Sequence, residues 1–193
     1  MPLLLMLHYF LQLAFIFTIA ASAVAAEHEV RPGQYVRDRD SGTLTIRSDG
    51  HNRLTFEIDS IGGNCHLCGV SGVISGVIGR SDSWATDGSD SKCEISFSAD
   101  HSALVVHPIT TEECRAYCGM RAGFDGTYRI PPTACTSVGR QKTRDSFLKL
   151  YRSRRYVQAI ETLQELITQC ETFMSWMEMD QVRNDLALAQ YHK

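Results

Sequence analysis

Seven cysteines carry most of the chemistry in this sequence: Cys65, Cys68, Cys93, Cys114, Cys118, Cys135 and Cys170. Two thiols in suitable geometry oxidise to a disulfide, and a thiol beside a histidine can ligate zinc. Cys65-His66-Leu67-Cys68 has the residue types for zinc, but a second pair of ligands at close spacing is missing. Disulfides are therefore expected, with no metal and no other cofactor. Cys68, Cys93, Cys114, Cys118, Cys135 and Cys170 are the disulfide candidates, and the odd count leaves one thiol free, assigned to Cys65. On a single strand, Cys114 and Cys118 would lie about four rises of 3.3 Å, or roughly 13 Å, apart. A disulfide needs Cα atoms within about 7 Å, so those two would point the same way without bonding each other. The expected set is Cys68–Cys93, one of Cys114 and Cys118 with Cys135, and the other with Cys170, the last pinning the tail of the chain to its body.

Acid–base chemistry is poorly supported. Glu112 and Glu113 are adjacent, so on a strand they face opposite sides and cannot act as a pair. No G-x-S-x-G, H-E-x-x-H, P-loop or G-x-G-x-x-G motif is present. No catalytic residue is assigned, and the chain is expected not to be an enzyme. Arg121 and Asp125 suit a structural role at a barrel mouth, the arginine bonding the aspartate or nearby carbonyls, or a place in a binding surface. Arginines and aromatics dominate protein contacts. The partner-contact candidates are therefore His66, Trp84, Arg121 and Asp125 on loops, with Arg154 and Arg155 in a basic stretch that also holds Arg140, Lys142, Arg144 and Arg152.

The elements that must position these residues fall into two halves. Thr43–Arg47, Leu54–Ile58, Cys93–Phe97 and Ala103–Val106 are strands, several alternating apolar and polar residues with a period of two. Gly33–Arg39, a glycine-punctuated Val70–Ile78, Glu112–Met120 and Phe124–Ile130 bring the count to about eight. Short strands at close spacing predict an antiparallel meander closed into a small barrel over residues 27–135. Pro131-Pro132 ends it. From 136 to 193 the reading is a helical hairpin or three helices packed on the barrel: Ala159, Ile160, Leu163, Leu166, Ile167 and Cys170 form one apolar stripe, and Ser175-Trp-Met-Glu178 is a capping box. The fold class is α+β.

Residues 1–26 contain no Asp, Glu, Lys or Arg, are apolar from Leu3 to Phe17 and end in Ser22-Ala-Val-Ala-Ala26. That is the pattern of a signal peptide cut near Ala25 or Ala26, although the apolar run is also long enough for a membrane anchor. Export to the periplasm or beyond fits the cysteine count. Residues 27–135 carry 10 Lys and Arg against 15 Asp and Glu, and residues 136–193 carry 9 against 7. An acidic body with a mildly basic tail argues against a nucleic-acid partner and allows peripheral contact with acidic lipid or cell-wall polymer.

Gly33-x-Tyr35 followed by a strand meander resembles the opening of calycin-type and bacterial lysozyme-inhibitor-type barrels. Cys114-Arg-x-Tyr-Cys-Gly-x-Arg-Ala-x-Phe-x-Gly-x-Tyr128 resembles small exported bacterial proteins, a likeness that brings no activity and no site residue with it. Tyr151–Leu166 resembles the inter-helix turn of a tetratricopeptide repeat, with an arginine where glycine is usual. The barrel resemblance covers residues 33–135 at most and implies an envelope binding protein. The expected function is binding or inhibition of another protein, such as a cell-wall hydrolase or a toxin. The alternatives are a calycin-type carrier of a small ligand, which requires a cavity inside the barrel, and, less favoured, an envelope enzyme.

Overall fold

A computed structural model describes residues 29–50, 53–82, 92–100 and 102–193. Residues 1–26, the expected signal segment, and Trp84 lie outside the described residues. Eight antiparallel strands, each paired to its sequence neighbour, form a closed barrel: β1 (Gly33–Arg37), β2 (Gly42–Ser48), β3 (Leu54–Ile61), β4 (Leu67–Ser75), β5 (Ile78–Ser81), β6 (Glu94–Asp100), β7 (Ala103–Pro108) and β8 (Gly126–Arg129), with β8 closing on β1 through Val36↔Arg129 and Arg37↔Tyr128. The alternation read in the sequence is the inward/outward alternation of the barrel. Leu44 and Ile46 of β2 face Ile58 and Phe56 of β3 in register, and all four are buried. Ile95, Phe97, Leu104, Val106 and Tyr128 fill the interior with them. Each strand is paired on both sides, and the part of β4 that runs past β5 is met instead by residues 117–119, through Gly69 N to Tyr117 O and Gly119 N to Leu67 O.

The eight strands differ from the expected eight in two places. Val70–Ile78 is not one bent strand but the end of β4, a turn at Gly76 with φ +63°, and the start of β5. Glu112–Met120 is not a strand. Thr111–Arg115 forms a short helix, α1, followed by irregular chain. Glutamates in the first turn and an arginine in the last complement the helix dipole, which alternation alone does not register. The glycine-rich character of β4 and β5 also has a packing cause. A Cβ on Gly79 would lie 2.6 Å from the Phe97 ring and 2.9 Å from the Phe56 ring, so its absence lets those rings meet at 5.4 Å between centroids.

Three helices follow: α2 (Ser137–Arg152), α3 (Tyr156–Cys170) and α4 (Trp176–His192). Thr136 and Ser175 cap α2 and α4 by accepting from the Gly139 and Glu178 amides. The reciprocal half of the expected capping box is replaced: the Glu178 carboxylate accepts from Arg140 Nε at 2.9 Å. The α3 stripe is buried at Ala159, Ile160, Leu163, Leu166 and Cys170 in a second core with Phe147, Met174, Met179 and Val182. This core is separate from that of the barrel. It meets the barrel through Val36, and the turn Asp38–Asp40 lies against Glu171–Phe173. Arg183 and Asp185 pair within the tail, with Glu171 and Arg144, and not with the barrel.

The disulfides are Cys68–Cys118, Cys93–Cys114 and Cys135–Cys170, and Cys65 is free and exposed. The same six cysteines are joined in different pairs from those expected. The premise that failed was a shared strand for Cys114 and Cys118. Cys114 is on α1, turned into the core, while Cys118 lies beyond it and forms an antiparallel bridge with Cys68. Cys135 and Cys170, both in the core of the tail, are then left to each other, so no disulfide joins barrel and tail. Three disulfides belong to an oxidising compartment, extracellular or periplasmic. Among the described residues, no helix is long and apolar enough to cross a membrane.

Candidate functional site

An up-and-down barrel sends alternate connections to opposite ends. At one end the turns are short, after Ser48, Ser75 and Asp100. At the other lie the β3–β4 turn and the long β7–β8 connection, residues 109–125. That connection caps the barrel. Cys114 and Phe124 are buried in the barrel core, with Tyr117, Cys118 and Ala122 packed against it. Two disulfides fix the cap, Cys93–Cys114 beside β6 and Cys68–Cys118 on β4. Tyr128 Oη donates to Phe124 O at 2.7 Å from inside the barrel. Burial holds that phenol protonated well above its ordinary pKa, against a smaller lowering by Arg37.

The β3–β4 turn is laid against the cap by backbone contacts. Within the turn the Gly62 amide donates to His66 O at 2.7 Å; across to the cap, the Gly63 amide donates to Arg121 O at 3.2 Å and the Gly119 amide to Leu67 O at 2.8 Å. A Cβ on Gly62 would lie 2.1 Å from Arg121 O, so only glycine admits this approach. Asn64 and Cys65 follow with φ of 56° and 60°. Two successive non-glycine residues in the left-handed region are strained, and such strain gathers where a surface is held in one shape.

The site therefore unites His66, Arg121, Asp125 and the free Cys65 at one end of the barrel. Arg121 does not bond Asp125 as expected. Its side chain is exposed, and the carbonyl-binding role at the mouth belongs to Arg37, whose Nη1 donates to Gly123 O at 2.7 Å. Ser60 Oγ donates to the same oxygen at 3.0 Å. Cys68 is consumed in a disulfide, so Cys65-His66-x-Cys68 has lost one of its zinc ligands. Arg154 and Arg155 lie elsewhere, between α2 and α3.

Three exposed apolar residues at this end escaped the sequence reading: Ile61 and Leu67, opposite each other across β3 and β4, and Met120 on the cap, at 58%, 62% and 76% exposure. Their signal was present, since both strand residues are apolar at outward positions flanking a Gly-Gly turn. Beside them, an open groove of about 210 Å³ is lined by Glu57, Asp59, Asp82 and Tyr117. Tyr117 Oη donates to Asp82 O and is hydrogen-bonded to Ser81 Oγ, each at 2.9 Å, fixing the groove to the cap. Glu57 is paired with Arg47, and Asp82 accepts from Ser71, which leaves Asp59 facing the groove with its charge uncommitted among the described residues. No family model, curated protein or solved structure matches the chain.

Proposed function

We propose that this chain is an exported envelope protein, periplasmic or secreted after loss of residues 1–26, that binds and inhibits another protein with the capped end of its barrel. The observation that carries the reading is the cap itself. A rigid surface held by two disulfides presents Ile61, Leu67 and Met120 beside an acidic groove. Apolar anchors on a pre-organised frame are the economical way to bind a protein, because little ordering entropy is lost. The carboxylates favour a basic partner, as a cell-wall hydrolase or a cationic toxin would be. The filled barrel interior supports surface binding over carriage of a small ligand, which needs room inside.

The test is capture from envelope extract at low salt, with oxidised wild-type protein and a Leu67→Asp/Met120→Asp variant side by side. Recovery of a basic protein by the wild type, its loss in the variant, and inhibition of that protein's activity are expected. Equal recovery by both would move the contact away from this end. Amino-terminal sequencing of the exported form should begin at Ala26 or Glu27.

A further inference from the structure

The far tip of the helical tail carries a second surface, and its charges run against what folding alone favours. His192, near the end of α4, stacks on Tyr156 at 5.7 Å and meets Tyr151 edge-on at 5.9 Å, so the end of α4 sits on the α2–α3 turn. Around this contact lie Lys149, Arg152, Arg154, Arg155 and Lys193, all exposed, and none has an ion-pair partner among the described residues. Residues 146–160 and 186–193 contain no aspartate or glutamate. Lys149 and Arg152 complement the carboxyl end of α2, but Arg154 and Arg155 stand at the amino end of α3, where the dipole favours anions. The other two tail helices have a Thr or Ser cap there. In α3 the cap position is Arg155, with no side-chain bond to the helix, preceded by Arg154 at φ 58°. Exposed Tyr191 (84%), Leu188 and Val157 border the same tip.

The geometry points to this tip as a docking face for an anionic phospholipid membrane. Uncompensated cations attract the lipid phosphates, and Tyr191 with its apolar neighbours enters the headgroup region, where amphipathic aromatics settle. The inference does not rest on the barrel-end reading. Docked by the tail, the protein would work at a membrane surface.

The experiment is co-sedimentation of the purified full chain with phosphatidylglycerol vesicles and with phosphatidylcholine vesicles, for the wild type, Arg152→Gln/Arg154→Gln/Arg155→Gln, and the same three changed to Lys. Each cation near an anionic surface contributes roughly fivefold, so the Gln variant should lose about 100-fold in partition onto phosphatidylglycerol. The Lys variant should keep most of it, and the wild-type partition should fall with salt. The melting temperature of the Gln variant should equal or exceed that of the wild type, because relief at the α3 end from the Arg154 and Arg155 changes offsets the loss of Arg152 at the end of α2. Equal partition of wild type and Gln variant onto phosphatidylglycerol overturns the proposal. So does binding to a soluble polyanion such as polyphosphate with no difference between the two vesicle types.

Discussion

Gly62→Ala should damage the barrel end, while Gly63→Ala, one residue on, should not. A Cβ at position 62 meets Arg121 O at 2.1 Å and Ala122 Cα at 2.6 Å, both main chain, so the β3–β4 turn and the cap must separate by more than an ångström. That separation breaks or stretches the two bonds that cross from turn to cap, Gly63 to Arg121 O and Gly119 to Leu67 O. At about 1 kcal/mol net for each, the loss is about 2 kcal/mol. For a chain of this size that lowers the melting temperature by roughly 4–8 °C. A Cβ at position 63 meets nothing within 4 Å, and the backbone there has no positive φ, so Gly63→Ala should stay within about 0.5 kcal/mol of wild type. Thermal and urea unfolding of oxidised protein measure both. Equal losses in the two variants, or a neutral Gly62→Ala, would refute the claim that turn and cap form one surface.

Replacing Cys135 and Cys170 together by Ala opens a link spanning 35 residues and should cost about 4 kcal/mol on a chain-entropy argument. Hydrogen exchange should show α2 and α3 losing protection while the barrel strands, with their own two disulfides, keep theirs. Arg140→Ala removes a buried guanidinium that donates to Glu178 at 2.9 Å and to Cys135 O at 2.7 Å, leaving both acceptors unmet. A loss of about 3 kcal/mol in urea unfolding is expected. Tyr128 is held protonated far above its ordinary value of 10.0. The stability its neutral form supplies is intact below about pH 10 and is lost as pH rises further, because the unfolded chain alone gives up the proton. Tyr128→Phe should cost about 1–2 kcal/mol at neutral pH and flatten that alkaline fall, measured by urea midpoints across pH 8–11.

The barrel and the tail were legible because burial imposes a period. Leu44 and Ile46, Phe56 and Ile58, and Ile95 and Phe97 alternate, and the α3 stripe recurs at helical spacing, so each element announced its buried face. The cap was not legible. Thr111–Arg115 is short, and its apolar content is too low for periodicity to mark it. Reading it as strand placed Cys114 and Cys118 on one face and misdirected every disulfide. Cysteine partners depend on where the whole chain brings them, and an error in one element spreads to all pairs. The binding end was half legible. His66, Arg121 and Asp125 were on the right loops, but their convergence depends on Gly62 admitting Arg121 O, a contact between residues 59 positions apart. Ile61 and Leu67 flank Gly62-Gly63 in the sequence, but which side of each strand faces outward is settled only when the barrel closes, and Met120 depends on how the cap folds over it.

Cys65 lets partner binding at the capped end be measured in place, since it is a native thiol exposed within the proposed surface. A photoactivatable, thiol-reactive cross-linker placed on it, and separately on a Ser48→Cys/Cys65→Ser protein that carries the probe at the opposite end of the barrel, can be irradiated in envelope extract. One discrete basic protein should be joined through Cys65 and none through position 48. Equal adducts from both positions, or an adduct from position 48 alone, would contradict binding at the capped end.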